Sequence, residues 1–334
     1  MASRWTFLLL FTLVAASNNV TTAPGSSESL VHKYPRTWIE NLAVRPNGRI
    51  LPATATSAVL MELNPANGEQ RVVHNFTGAG GNANAIMTIA DVQGQDLFLI
   101  NTMECDIFKL ACINGTGITW LVDLRGRGPA KIKKLVTGPN AQSILNGAAA
   151  LNHQTVLMVD QNLGGIWSVD ITRPDTANLF TNPAMLDPTN SGNGVNGIRV
   201  RGNTLYFNNP SAGTFARIRI DPRNGCLIGN ATIITSGLTV PDDFEIDRHE
   251  RFAYFSNDNE LLKIDLSDGN YDAIVKGLPG PTTARWTRSW HGFEYGYSRD
   301  EVADESLYVA TAGGTDQWLS GNPTILAAIY RVTV

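Results

Sequence analysis

Cysteine and histidine are scarce in this sequence, with three of the first and five of the second among 334 residues. The histidines, at positions 32, 74, 153, 249 and 291, have no metal-ligand spacing. HExxH pairs, P-loops and GxSxG elbows are all missing, which sets aside the common zinc, phosphate-cradling and serine-hydrolase chemistries. Charge is also sparse, at 17% of residues and a net −4 with a pI near 5.7. No broad basic face exists to neutralise phosphates, so nucleic acid is excluded as a general partner. The one basic run, Arg125, Arg127, Lys131, Lys133 and Lys134, reads as a solvated hairpin. Long apolar runs are absent after the N-terminus, so no later segment can span a bilayer. A literal GxGxxG lies at 192–197, but it precedes a strand pattern instead of opening a helix and therefore carries no dinucleotide meaning.

What is present begins with Arg4, an apolar run from Trp5 to Ala16, and small residues at Ala15, Ala16 and Ser17. About a dozen apolar residues are too few to cross a membrane, so residues 1–17 are read as a cleaved signal peptide of a secreted protein. No membrane association is expected after cleavage. Glycosylation sequons start at Asn19, Asn75, Asn114 and Asn230. Cys105 and Cys112 stand at a spacing that two arms of a strand pair could bridge and are expected to form a disulfide. Cys226 is then the odd thiol, expected to be buried and inert. Residues 18–33, rich in Pro, Gly, Ser and Thr, are expected to form a disordered lead, and 34–334 a single domain.

Within that domain one unit recurs: a polar residue, a short apolar strand, a turn, a second strand, a turn and a third strand. The clearest copies run Asn196 to Val200, Thr204 to Phe207 and Ala216 to Asp221, then Asp242 to Asp247, Phe252 to Phe255 and Leu261 to Asp265. The copies open at positions 40, 85, 146, 196, 242 and 282, a spacing of 40 to 61 residues. That is the period of propeller blades, and a β-sandwich would show the alternation without the period. The expected fold is all-β, a six-bladed β-propeller. Pro281 to Trp290 lacks clean alternation and is expected to hold an inserted turn or short helix.

A ring of repeats brings equivalent residues together, so the openers of the innermost strands converge on the channel mouth. These are Glu40, Asn146, Asn196 and Asp242, with Asn41 and Asp243 beside two of them. Such oxygen-bearing side chains suit a hard cation such as Ca2+. They equally suit a simpler task, the capping of strand ends by bonds to neighbouring backbone.

Glu40, Asn146-Gly147, Asn196-Gly197 and Pro241-Asp242 resemble the gluconolactonase/SMP-30 group of six-bladed calcium propellers over almost the whole mature chain. The resemblance implies Glu40, Asn196 and Asp242 as metal ligands and Asn146 as a water or substrate contact. Glu40-Asn41-Leu42 and Asp242-Asp243-Phe244 depart from the Glu-Gly-Pro and Asp-Gly usual there. Together with the secretory signal and the ending Leu307 to Gly314, they are more similar to a secreted fungal branch, the hetero-Diels-Alderases of tropolone-sesquiterpenoid biosynthesis. That likeness implies joining of a tropolone-type o-quinone methide to a humulene-type alkene without an organic cofactor, with small molecules as the only partners.

A cycloaddition needs an apolar, water-poor pocket and hydrogen bonds to a polarised oxygen, with no nucleophile. Trp38, Trp286, Trp290 and His291 are the candidate walls, and Arg285 or Arg288 the candidate donors. Asn146, Asp242, Arg285 and His291 are thus the catalytic candidates, and Trp38, Asn41, Asp243, Trp286 and Trp290 the substrate contacts. Each of these aromatics could equally be blade core. Three readings stay open: a cycloaddition pocket, a Ca2+-dependent lactonase, and a non-catalytic binding propeller.

Overall fold

The computed structural model describes residues 20–79, 81–92, 95–137, 143–287 and 306–334. Six antiparallel sheets follow one another along the chain, each a meander whose first strand is innermost. The inner strands are Ile39–Val44, Ala85–Asp91, Leu145–Ala150, Ile198–Arg201, Pro241–Ile246 and Pro281–Trp286. Each neighbours the next, and the sixth returns to the first, closing a ring. The fold is a six-bladed β-propeller, as the repeat period implies. No helix among the described residues is long and apolar enough to cross a membrane.

Inner and second strands are buried on both faces, since each sheet is sandwiched between two others. Six apolar clusters fill the six gaps between blades. The gap between blades 4 and 5 is built on Phe215, Phe244 and Phe255, the last two stacked with ring centroids 4.9 Å apart. A seventh cluster sits at the mouth, around Trp38, Met87, Trp318 and the Cys105–Cys112 disulfide.

Four features differ from the sequence-based expectation. Each blade has a fourth, outer strand, such as Gln70–Asn75 or Lys131–Thr137, where side chains are largely exposed and apolar alternation fades. The basic run lies on the hairpin leading into Lys131–Thr137 and is solvated as anticipated. The lead at 18–33 is ordered from Val20 onward: Ser27–Tyr34 pairs with Ala327–Thr333 as the outer strand of blade 6, and Thr21–Thr22 adds a fifth strand to blade 5. Backbone pairing holds this segment with only a few apolar anchors, Val20 and Val31, so its composition hid it. Pro281–Trp286 is a strand and not a turn or helix; its burial on both faces removes the alternation. Cys226 is a free thiol, but half-buried where full burial was expected, because it sits in the turn before the outer strand of blade 4.

Candidate functional site

The inner strands share a distortion that aims side chains at the axis. In five of the six blades the pairing between inner and second strand slips near the top, skipping Glu40, Met87, Asn146-Gly147, Asp242-Asp243 and Thr282. In blade 4, Asn196 and Gly197 stand just before the strand and bond to Asn208 from outside the regular ladder. A bulge re-aims the extra residue and leaves the rest of the sheet in register. The openers of the repeat are these bulged residues, which is why they converge.

The two Asn-Gly steps have a steric cause. A Cβ on Gly147 would lie 2.3 Å from the Asn196 carbonyl oxygen, and one on Gly197 would lie 2.3 Å from Asp243 Oδ1. Glycine lets neighbouring inner strands approach closely enough for Gly147 N–H to donate to Asn196 O at 3.2 Å.

Above the bulges lies a cavity of about 570 Å³, counting the space open to solvent. Trp38, Met87, Ile107, Leu110 and the Cys105–Cys112 disulfide form one side. Asn146, Gln161, Asn193 and Asn196 line it from blades 3 and 4, Pro210, Val240 and Pro241 complete the ring, and Glu40 and Asp242 stand at the floor. The amides are chained: Asn146 Nδ2 donates to Gln161 Oε1 at 3.2 Å, and Gln161 Nε2 donates to Asn193 Oδ1. Trp38 Nε1 donates to Glu40 Oε2 at 2.6 Å.

Burial pushes the Glu40 carboxyl up to about 7, helped by the charge of Asp243, while hydrogen bonds from Trp38 and Asn146 pull it back down. Asp242 is raised well above the carboxylate range by burial and by the charges of Glu40 and Asp243. Either a proton or a cation relieves this repulsion. Two carboxyl groups and two side-chain amides offer the oxygen donors of a hard cation, so the residues fit calcium. Among the described residues no three His, Cys, Asp or Glu side chains are grouped to hold a metal, so an ion would rely on Asn146, Asn196 and water to complete its shell.

Beneath the floor a second polar layer plugs the channel. Asn41 Nδ2 donates to Asp243 Oδ2 at 2.8 Å, and Arg285 Nη2 donates to Asn41 Oδ1 at 2.6 Å and to Asp243 Oδ2 at 3.0 Å. Arg199 pairs with Asp243 at 3.3 Å, and Arg201 with Glu245 at 2.8 Å. Burial raises the Asp243 carboxyl, and Arg199 and Asn41 oppose that rise.

Of the residues expected at the site, Trp38, Glu40, Asn146, Asn196 and Asp242 line the cavity. Asn41, Asp243 and Arg285 belong to the layer below it, where the Arg285 guanidinium is consumed by Asn41, Asp243 and Thr283. Trp286 is packing material: its ring meets Tyr254 edge-on and its Nε1 donates to Ile246 O at 2.9 Å. Trp290, His291 and Arg288 lie outside the described residues, as do residues 1–17 and Asn19. Asn75 and Asn230 are exposed on outer strands. Asn114 differs from expectation, since its side-chain amide is enclosed and presents no Nδ2 to solvent for a glycan.

Sequence reasoning missed Gln161, Asn193, Ile107 and Leu110. Gln161 directly follows the second strand of blade 3, Thr155–Asp160, and Asn193 lies inside the discarded GxGxxG, so both came from loops without a repeat signal. The disulfide was anticipated, but its place in the wall was not.

No family model matches the chain. It is 24% identical over 299 residues to a Phoma protein provisionally named hetero-Diels-Alderase, covering 78% of this chain and 82% of that one. A Sarocladium schorii protein with the same provisional name is 27% identical over 312 residues, 78% of this chain and 74% of its own. Among solved structures, a gluconolactonase from Xanthomonas campestris superposes with a TM-score of 0.61 at 14% identity, over 100% of this chain and 95% of that one. The calcium-binding protein regucalcin of Agrobacterium tumefaciens gives 0.57 at 15%, over 91% and 94%. A luciferin-regenerating enzyme gives 0.63 at 13%, over 93% and 96%. The chain is therefore a six-bladed β-propeller of gluconolactonase- and regucalcin-like architecture whose distant sequence relatives are named hetero-Diels-Alderases.

Proposed function

We propose that the mouth cavity is a cycloaddition pocket, joining a tropolone-type o-quinone methide to a humulene-type alkene in the biosynthesis of a fungal tropolonic sesquiterpenoid. The observation that carries this reading is a largely apolar cavity, lined by Trp38, Met87, Ile107, Leu110 and Val240, in which the side-chain amides of Asn146, Gln161, Asn193 and Asn196 are grouped on blades 3 and 4. In a hetero-Diels–Alder reaction the C=C–C=O unit and the alkene form one C–C and one C–O bond together. Nothing leaves, no proton moves, and no organic cofactor is needed. The pocket must hold the partners face to face away from water, where effective concentration alone lowers the barrier by several kcal/mol, on the order of 7–11 at best. Asn196 would hydrogen-bond the carbonyl oxygen that polarises the heterodiene, Asn146 would hold Gln161 and Glu40 in position beside it, and Trp38 would wall off solvent. The disulfide and the exposed sequons at Asn75 and Asn230 support a place in the secretory pathway.

Incubating the purified protein with an o-quinone methide precursor and humulene is expected to give a single stereoisomer faster than the background reaction. Racemic product at the uncatalysed rate would overturn the reading.

One observation favours a second reading, lactone hydrolysis: the mutually repelling carboxyl pair at the floor. There Glu40, Asn196 and Asp242 would hold Ca2+ and Asn146 would contact the substrate. A bound divalent ion supplies Lewis acidity toward a lactone carbonyl. Chelation distinguishes the two, since hydrolysis should vanish with the metal and cycloaddition should persist wherever the protein stays folded.

A further inference from the structure

The two sides of the cavity differ chemically, and the apolar side has an unusual construction. Between the second and third strands of blade 2 the chain leaves the sheet as a miniature ribbon. Cys105–Asp106 pairs antiparallel with Ala111–Cys112, the 3-10 turn Ile107–Lys109 closes it, and the disulfide locks its base. Leu110 stands at φ 46°, ψ 46°, the left-handed region that a leucine rarely adopts. It is nonetheless 5% exposed and lines the cavity. Cys105 Sγ lies 3.8 Å from Met87 Sδ, so the bulged residue of blade 2 and the disulfide form one soft sulfur surface.

The ribbon is also braced from outside. Phe108 packs on Trp318 with centroids 5.6 Å apart, and Trp318 meets Trp38 edge-on at 6.1 Å. Trp318 is fixed in turn by its Nε1 donating to Ala312 O at 2.8 Å. The side chains of this wall are carbon and sulfur, apart from the Trp38 Nε1 that Glu40 already holds. On the following blades 3 and 4, Asn146, Gln161 and Asn193 offer chained amides.

We propose that the disulfide-locked ribbon is the subsite for the hydrocarbon partner, with Leu110 and Ile107 setting which alkene fits, while the oxygenated partner lies against the amides of blades 3 and 4. This deepens the cycloaddition reading and rests on it for the identity of the two partners. The left-handed backbone at Leu110 serves to aim an apolar side chain inward from a turn where glycine would be easier. The disulfide and the aromatic brace keep that side chain from yielding to a bulkier ligand.

Leu110→Gly is the informative variant, because its backbone conformation suits glycine and the fold should tolerate it while the wall loses its side chain. Ile107→Ala, at a half-buried position, is the second. Equilibrium binding by calorimetry is measured for two probes separately, humulene and tropolone. Both variants are expected to weaken humulene about tenfold, the scale of losing a few buried carbons, and to leave tropolone within about twofold. The inference is overturned if tropolone weakens as much as humulene, if humulene is unaffected, or if the wild-type protein binds no humulene. If the variants show this split but the wild-type protein does not accelerate the coupling, the cycloaddition reading falls and the subsite stays in place.

Discussion

At Gly197 a single hydrogen stands where any other residue would collide with the Asp243 carboxylate and, at 3.0 Å, with Asn208 Oδ1. Neither neighbour can retreat, since Asn208 donates to Pro241 O and Asp242 O and its Oδ1 receives Gly197 N–H at 2.6 Å. Gly197→Ala is therefore expected to destabilise the protein by roughly 3 kcal/mol, the upper range for overpacking, in a denaturant titration. Gly202→Ala meets nothing within 4 Å at φ +52° and should cost about 1 kcal/mol for the left-handed backbone alone. Arg285 makes a contrasting case. Its guanidinium neutralises Asp243 below the cavity floor, so Arg285→Met should cost about 3 kcal/mol in the same titration, with lost activity tracking lost fold. From the sequence Arg285 reads as a donor to substrate, because its partner Asn41 is 244 residues away along the chain and the pairing leaves no local signal. The Asn-Gly and Pro-Asp steps were legible, since the top of the inner strand carries a polar opener in most blades.

Among the elements, the loops that supply Asn193 and the blade 2 ribbon carry the site, and neither shows periodicity. The loop after the turn Pro183–Met185 is organised by Asp187. Its carboxylate accepts from Thr189 N at 2.7 Å, Ser191 Oγ at 2.8 Å, Gly192 N at 2.7 Å and Asn193 N at 3.1 Å. Burial pushes this carboxyl up, but the hydrogen bonds outweigh it and hold the group well below the ordinary range. A depressed folded pKa means the contribution is full above the unfolded value near 3.8 and is lost as pH falls through the lower folded value. Protection of the 189–193 amides, taken relative to the intrinsic exchange rate at each pH, is accordingly expected to stay high at neutral pH and to fall in strong acid. Asp187→Asn should be poorly protected at both, and equal protection in the two proteins would contradict this. For the ribbon, the pair Cys105→Ser and Cys112→Ser removes a short loop constraint of about 2–3 kcal/mol, measurable as a lowered midpoint of thermal unfolding. The disulfide itself was visible in the spacing, whereas the outer strands were not, because exposed edges need no apolar pattern to pair.

On the scale of the whole molecule, the ring is closed from the wrong end of the chain. The N-terminal strand Ser27–Tyr34 completes the last blade, and Tyr34 enters the apolar cluster between blades 6 and 1. Removing residues 20–34 should leave Ala327–Thr333 as a bare edge, giving a protein that aggregates in light scattering and unfolds over a broader range. The blade count came straight from the period of the inner and second strands, whose burial on both faces keeps their composition uniform. The closure could not, because the closing strand is largely exposed and its apolar anchors, Val31 and Tyr34, are too few to make a pattern. The slipped pairing at the top of five of the inner strands has one more consequence. A residue outside the ladder can be exchanged without breaking a sheet bond, so positions such as 40, 87, 146, 242 and 282 behave as a short alphabet, one letter per blade, spelled in the centre of a frame that does not read it. Chains as far apart in sequence as this one and its structural neighbours can therefore share one architecture and diverge by respelling the axis.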